Sequence, residues 1–198
     1  EMATNDRNNG PNDVGLDSPT GVIYDEDENW LIVSDYNKQR IVVYDRDDGI
    51  GQYYRADKVL GQNDFFAWET SGLNTPVNNN FARPEGMAIG TISGVKYLFV
   101  ADSTYNRVLV FNLSDGLDAV SETAVYVLGQ VDFTSMAVAT TQAGLSAPVD
   151  LAFDDINDIL YIADADNYRV VVHDFGVAGL EDGRMADNVL GQSSFDTA

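Results

Sequence analysis

Two kinds of side chain in this sequence could do chemistry: clustered carboxylates and a single imidazole. The acids gather at Asp25-Glu-Asp-Glu-Asn29, at Asp45 to Asp48 and at Asp154-Asp-Ile-Asn-Asp158. Oxygen-rich turns of this kind can hold calcium, and Asp25 and Asp27 are the candidate ligands. The helix-loop-helix calcium loop needs a glycine after its third ligand, whereas Asp25, Asp27 and Asn29 are followed by Trp30. The same composition suits solvated hairpin turns, so the sequence requires no cofactor and leaves room only for calcium. His173, beside Asp174, is the single histidine, and there is no cysteine. A three-histidine zinc site, thiolate chemistry and a disulfide framework are therefore excluded within one chain. A Ser-His-Asp arrangement would rest on His173 alone with no motif around it, so no catalytic residue is assigned.

The chain that must position these groups has 198 residues, 44% hydrophobic and 11% aromatic, which is enough for a packed core. Against 11 Lys and Arg stand 32 Asp and Glu, a formal charge of −21. Such a field repels phosphate, which makes nucleic acid and anionic membranes poor partners. It is best tolerated where salt screens it, so an extracellular or cell-envelope location is expected. No apolar run approaches the length needed to span a bilayer, so no membrane insertion is expected. A start at Glu1 with no signal-like segment fits a processed form or a piece of something larger. Asn112-Leu-Ser114 matches a glycosylation sequon, which matters only in a secreted, glycosylated protein.

Three markers recur in one order three times. The tetrapeptide Val-Leu-Gly-Gln ends at Gln62, Gln130 and Gln192, with Phe65, Phe133 and Phe195 three residues later. An Asp precedes an Arg by five residues in Asp35/Arg40, Asp102/Arg107 and Asp164/Arg169, and Pro19, Pro84 and Pro148 each stand before an apolar stretch. Between the markers every unit reads as four short strands separated by turn signals, with no helical period. Asp and Arg straddle the turn between the second and third strands. Their repetition argues for a structural carboxylate–guanidinium pair rather than for catalysis, and the three glutamines read the same way, as ties for the loop that follows.

Four antiparallel strands per repeat is the sequence form of a β-propeller blade. The stretches Ser-Pro-Thr-Gly-Val-Ile-Tyr-Asp, Leu-Ile-Val-Ser-Asp-Tyr-Asn-Lys-Gln-Arg-Ile-Val-Val-Tyr-Asp and Tyr-Ile-Ala-Asp-Ala-Asp-Asn-Tyr-Arg-Val-Val-Val resemble the NHL repeat, and the Val-Leu-Gly-Gln-x-x-Phe ending resembles that of bacterial NHL proteins with long blades. The resemblance implies an all-β propeller with three four-stranded blades in this chain. It spans a wider group that binds proteins, RNA or small molecules, some of which resemble metal-dependent lactonases. Such lactonases gather Glu, Asn and Asp near the central channel. Glu85 and Asp150 are the nearest counterparts here, while the first unit has Thr20 and Gly21 in that region.

The organisation that follows is a leader over 1–15, blades over 16–65, 81–133 and 145–198, and inserted connections over 66–80 and 134–144. Three blades leave two apolar sheet faces bare. NHL propellers usually close with six, so either a second copy completes a two-fold ring or further blades belong to the same gene. The inserts emerge on the face that carries the Asp-x4-Arg turns, and their Phe66, Trp68, Leu73 and Met136 could anchor a protein or a glycan or fold back over the rim. A non-catalytic, self-associating scaffold is the expected function. A structural subunit of an extracellular assembly and a metal-dependent lactonase-like hydrolase are the alternatives.

Overall fold

Runs such as Trp30-Leu-Ile-Val-Ser34 and Arg107-Val-Leu-Val-Phe111 are dominated by β-branched and large apolar residues that fit a pleated surface buried on both sides. A computed structural model describes residues 12–46, 55–67, 75–117, 122–176 and 178–196. The strands are β1 Pro19–Asp25, β2 Trp30–Asp35, β3 Arg40–Asp45, β4 Lys58–Leu60, β5 Pro84–Ile92, β6 Val95–Asp102, β7 Arg107–Asn112, β8 Tyr126–Leu128, β9 Pro148–Asp154, β10 Ile159–Asp164, β11 Arg169–Asp174 and β12 Asn188–Leu190. They form three antiparallel sheets, β1–β4, β5–β8 and β9–β12, each in simple sequence order. The fold is the expected all-β propeller type with three four-stranded blades.

The sequence markers fall on one line across each sheet. Pro19 pairs with Asp35 and Asp35 with Arg40; the same register joins Pro84, Asp102 and Arg107, and then Pro148, Asp164 and Arg169. Each proline opens its strand directly before a register shift, where a missing amide donor does least harm. The residue before each Arg, namely Gln39, Asn106 or Tyr168, takes a left-handed conformation that turns the chain from the second strand into the third.

Neighbouring blades meet along their inner strands, β1 against β5 and β5 against β9. The cores lie between sheets rather than within them. One cluster joins Trp30, Ile32, Ile41, Val43 and Leu60 of the first blade to Met87, Leu98, Val100, Leu109 and Phe111 of the second. The next joins Ala88, Phe99, Ala101, Val108, Val110 and Leu128 to Leu151, Leu160, Ile162 and Val171 of the third. Among the described residues no helix is long and apolar enough to cross a membrane.

The glycine of each Val-Leu-Gly-Gln has a conformational reason. Gly61, Gly129 and Gly191 have φ of +87°, +84° and +88°, and a Cβ on Gly129 would lie 2.4 Å from Leu145 Cδ1 and 3.0 Å from the Asn106 carbonyl. Gly94, in the β5–β6 turn, has φ +82° with nothing within 4 Å of its would-be Cβ. Gly94→Ala is expected to cost about 1–2 kcal/mol from backbone strain alone. Gly129→Ala should cost about 1–3 kcal/mol more through overpacking, and urea unfolding of the two variants side by side checks the difference.

Candidate functional site

Each Asp-x4-Arg pair is a buried clamp. Arg Nε lies 2.9 Å from Asp Oδ2 in Arg40–Asp35, 3.2 Å in Arg107–Asp102 and 2.7 Å in Arg169–Asp164, and all six side chains are buried. The other carboxylate oxygen accepts amides from the chain entering the same blade: Asp17 to Asp35, Ala82 and Arg83 to Asp102, and Ser146 to Asp164. The remaining guanidinium nitrogens donate to backbone carbonyls on both sides. Arg107 reaches Phe133 and Asn80 at 2.8 Å each; Arg40 reaches Phe65, Asn12 and Gly15; Arg169 reaches Phe195, Thr140, Thr141 and Gly144. Burial pushes the Asp35 and Asp102 carboxyls up and the Arg107 guanidinium down from their ordinary ranges. The bonds into these carboxylates come from donors, an arrangement that suits the ionised acceptor.

This geometry fixes the feet of the inserts. The connection after Phe65 leaves from a carbonyl held by Arg40 and returns at Asn80, held by Arg107; the next leaves at Phe133, also held by Arg107, and returns at Gly144, held by Arg169. The glutamines add a second tie. Gln62 donates to the Lys38 and Gln39 carbonyls, Gln192 to the Tyr168 carbonyl, and Gln130 to those of Asn106 and Ala137 while accepting the Ala137 amide. At the root of the second insert, the Thr134 and Ser135 hydroxyls and amides converge on Asp132 and hold its carboxyl below the usual range.

Among the described insert residues, two large apolar side chains point outward. Phe66 is 68% exposed and Met136 43%, while Trp68 and Leu73 lie outside the described residues. Val131, Val138 and Tyr168 join them as exposed apolar residues on these loops and on the adjoining β10–β11 turn. Tyr168 had a legible signal: it takes the place of Gln39 and Asn106 before the clamp arginine, an aromatic where the other repeats are polar.

The inner strands enclose a cleft of about 500 Å³ lined by Thr20, Gly21, Glu85, Gly86, Met87 and Asp150 among others, so Glu85 and Asp150 do share one cavity. Among the described residues no three His, Asp or Glu side chains are grouped to hold a metal ion. The cleft is instead a place of close backbone approach. Ser34 Oγ donates to the Glu85 carbonyl at 2.6 Å, and a Cβ on Gly21 would lie 2.5 Å from that oxygen.

The other candidates have structural partners. Lys96 places its ammonium 2.9 Å from Asp25 and 2.7 Å from Asp27, bridging the two carboxylates. Burial alone would lower the Lys96 pKa; Asp27 and Asp25 outweigh it and hold the ammonium above its usual range. His173 is buried in β11, where Arg184 Nη1 approaches its Nδ1 at 3.4 Å and Phe175 stacks against the ring. Burial, with the Arg184 charge, lowers its pKa to about 4.

No protein-family model matches the chain. It is 30% identical over 129 residues to NHL repeat-containing protein 2 of Gallus gallus, a stretch covering 60% of this chain and 17% of that protein. The chain therefore corresponds to a small part of that relative's length. Among solved structures it resembles the hydrazine synthase of Kuenenia stuttgartiensis, with a TM-score of 0.52 at 12% identity over 91% of this chain and 38% of that one. The β-propeller domain of Myceliophteria thermophila Cps50 (Swd1) gives a TM-score of 0.47 at 13% identity, over 89% of this chain and 42% of that domain's. The first structural likeness speaks for the fold alone. With the repeat similarity, it supports an NHL-type β-propeller relationship.

Two outcomes test these assignments. Arg107→Lys keeps the charge but cannot span Asp102, Phe133 and Asn80 together, and is expected to cost about 3–5 kcal/mol in urea unfolding; a loss under about 1 kcal/mol would mean that charge alone suffices. For His173 the folded pKa of about 4 lies below the ordinary 6.5. Its contribution to stability is thus full above pH 6.5 and lost as pH falls toward 4, on the order of 3 kcal/mol in all. His173→Phe should remove that part of the acid sensitivity, seen as a flatter dependence of the urea midpoint on pH than in the wild type.

Proposed function

We propose that the chain is a non-catalytic binding scaffold of the bacterial long-blade NHL type, a half-propeller that self-associates and presents its inserts to a protein or a glycan. One observation carries this reading: the inserts are tied down at both feet by buried arginines while Phe66 and Met136 stay exposed. Held feet with Phe66 and Met136 turned outward lower the ordering cost of binding and supply anchor residues. The formal charge of −21 favours partners other than nucleic acid and suits a saline, extracellular or envelope setting. A structural subunit would use the same exposed residues for assembly.

The test is to screen the purified protein against glycan and peptide arrays, then to repeat every hit with Phe66→Ser and Met136→Ser. Binding should fall about tenfold or more in each variant while the urea midpoint stays unchanged. Hits indifferent to both substitutions, or no hit at all, would remove the insert face as the binding surface.

A further inference from the structure

Both internal joints between blades are closed in the same way, but one position differs in kind. In each joint, chain between the third and fourth strands of a blade reaches the outermost strand of the blade before it. Glu122 of the second blade pairs with Leu60 of β4, and the Leu117 carbonyl accepts from Lys58. At the second joint the 178–187 segment is tied to β8: the Gly183 amide donates to the Val127 carbonyl and the Val127 amide to the Asp182 carboxylate, each at 2.9 Å. Ala186 exchanges two further bonds with Gln142 of the second insert. The third-strand position paired with a leucine of the second strand, four residues after the clamp arginine, is Tyr44 in the first blade, Phe111 in the second and His173 in the third.

Arg184 pins the 178–187 segment from within. It is 4% exposed and donates to the Ala178, Met185 and Asp174 carbonyls and to the Asp187 carboxylate, with its guanidinium over the Phe175 ring. Its Nη1 faces Nδ1 of His173, itself 3% exposed, at 3.4 Å. A guanidinium offers only N–H groups, so this Nδ1 must present a lone pair. A proton there would set two cations face to face in a site closed to water. Among the described residues, the charged groups that bear on His173 are Arg184 and Asp187, and the Asp187 carboxylate already accepts from Arg184 and from the Asp174 amide. Asp174, next along β11, turns its carboxylate to the Gly176 amide. The remaining neighbours are uncharged: Leu160 is paired with His173, and the Phe175 ring stacked on it lies against Phe153 of β9 and Phe99 of β6.

We propose that the second joint is an acid-released clasp: protonation of His173 expels Arg184, and the 178–187 segment then leaves the edge of β8. Release frees the Val127 amide and carbonyl and removes the support that Ala186 gives to Gln142 of the second insert. The first joint has Phe111 at the corresponding place, takes up no proton there and stays closed. Acid thus loosens one interblade joint of this chain and not the other.

Hydrogen exchange read by mass spectrometry tests the clasp, with each segment's rate expressed relative to the same segment in the unfolded chain. The folded-state pKa of His173, about 4, lies below the ordinary 6.5, so the clasp is fully closed above pH 6.5 and opens as pH falls toward 4. Between about pH 7 and about pH 5, wild-type protection of 178–187 and of the stretch around Val127 should fall about tenfold or more, while 30–45 keeps its protection. His173→Phe and His173→Tyr, which install the rings of the other two blades, should keep 178–187 protected at the lower pH with Asp182 and Asp187 unchanged. Arg184→Met should leave it loose at both values, and circular dichroism checks that each variant is folded. An equal acid loss in the wild type and the His173 variants would assign the effect to the carboxylates and overturn the proposal. So would a wild type whose 178–187 segment keeps its protection, or one that loses protection in 30–45 in step with it.

Discussion

Everything in this molecule hangs from the buried Asp–Arg clamp. Removing two charges from water costs several kcal/mol per ion, and a lone ion pair in a dry interior seldom recovers that. Here each guanidinium also donates to backbone carbonyls that would otherwise need partners, and each carboxylate accepts amides from the entering chain. The pair therefore works less as an attraction between two charges than as a junction for backbone groups. Only a planar, multi-donor cation can fill that place, which is why every repeat has Arg and none has Lys.

That junction explains why three distant markers travel together. The proline opens the inner strand beside the carboxylate, the Asp and Arg face each other across the hairpin, and the phenylalanine carbonyl after the outer strand is held by the same Arg. Losing the Asp or the Arg would leave buried backbone amides or carbonyls unsatisfied. With the polar upper rim so fixed, the apolar alternation along each strand is free to serve both faces, and the core moves into the spaces between blades.

Fold and site were unequally legible in the sequence. Strands could be read because Val, Ile and Leu runs fall between turn residues, and the clamp because one Asp–Arg spacing repeats. The calcium candidates could not be resolved, since Asp25 and Asp27 meet Lys96 only when the first two blades pack, and that contact crosses a long stretch of chain. His173 reads as a strand end in sequence, but Arg184 and Phe175 fold back and bury it. Glu85 and Asp150 line one cleft. The same cleft holds Gly21 and Gly86 against neighbouring backbone, a packing demand that no motif announces.

The division of labour between clamp and insert also bears on how such a fold can change. Residues that hold the insert feet are buried and locked to backbone atoms, so substitutions there act on stability. Among the described residues between the feet, Phe66, Met136 and Val138 face solvent, so they can be exchanged at little cost to the fold. Because Arg107 holds the carbonyl at the end of one insert and that at the start of the next, those two feet share one buried post. The clamps thus fix where each connection leaves and re-enters the sheets, and the exposed side chains near those feet are left out of the packing.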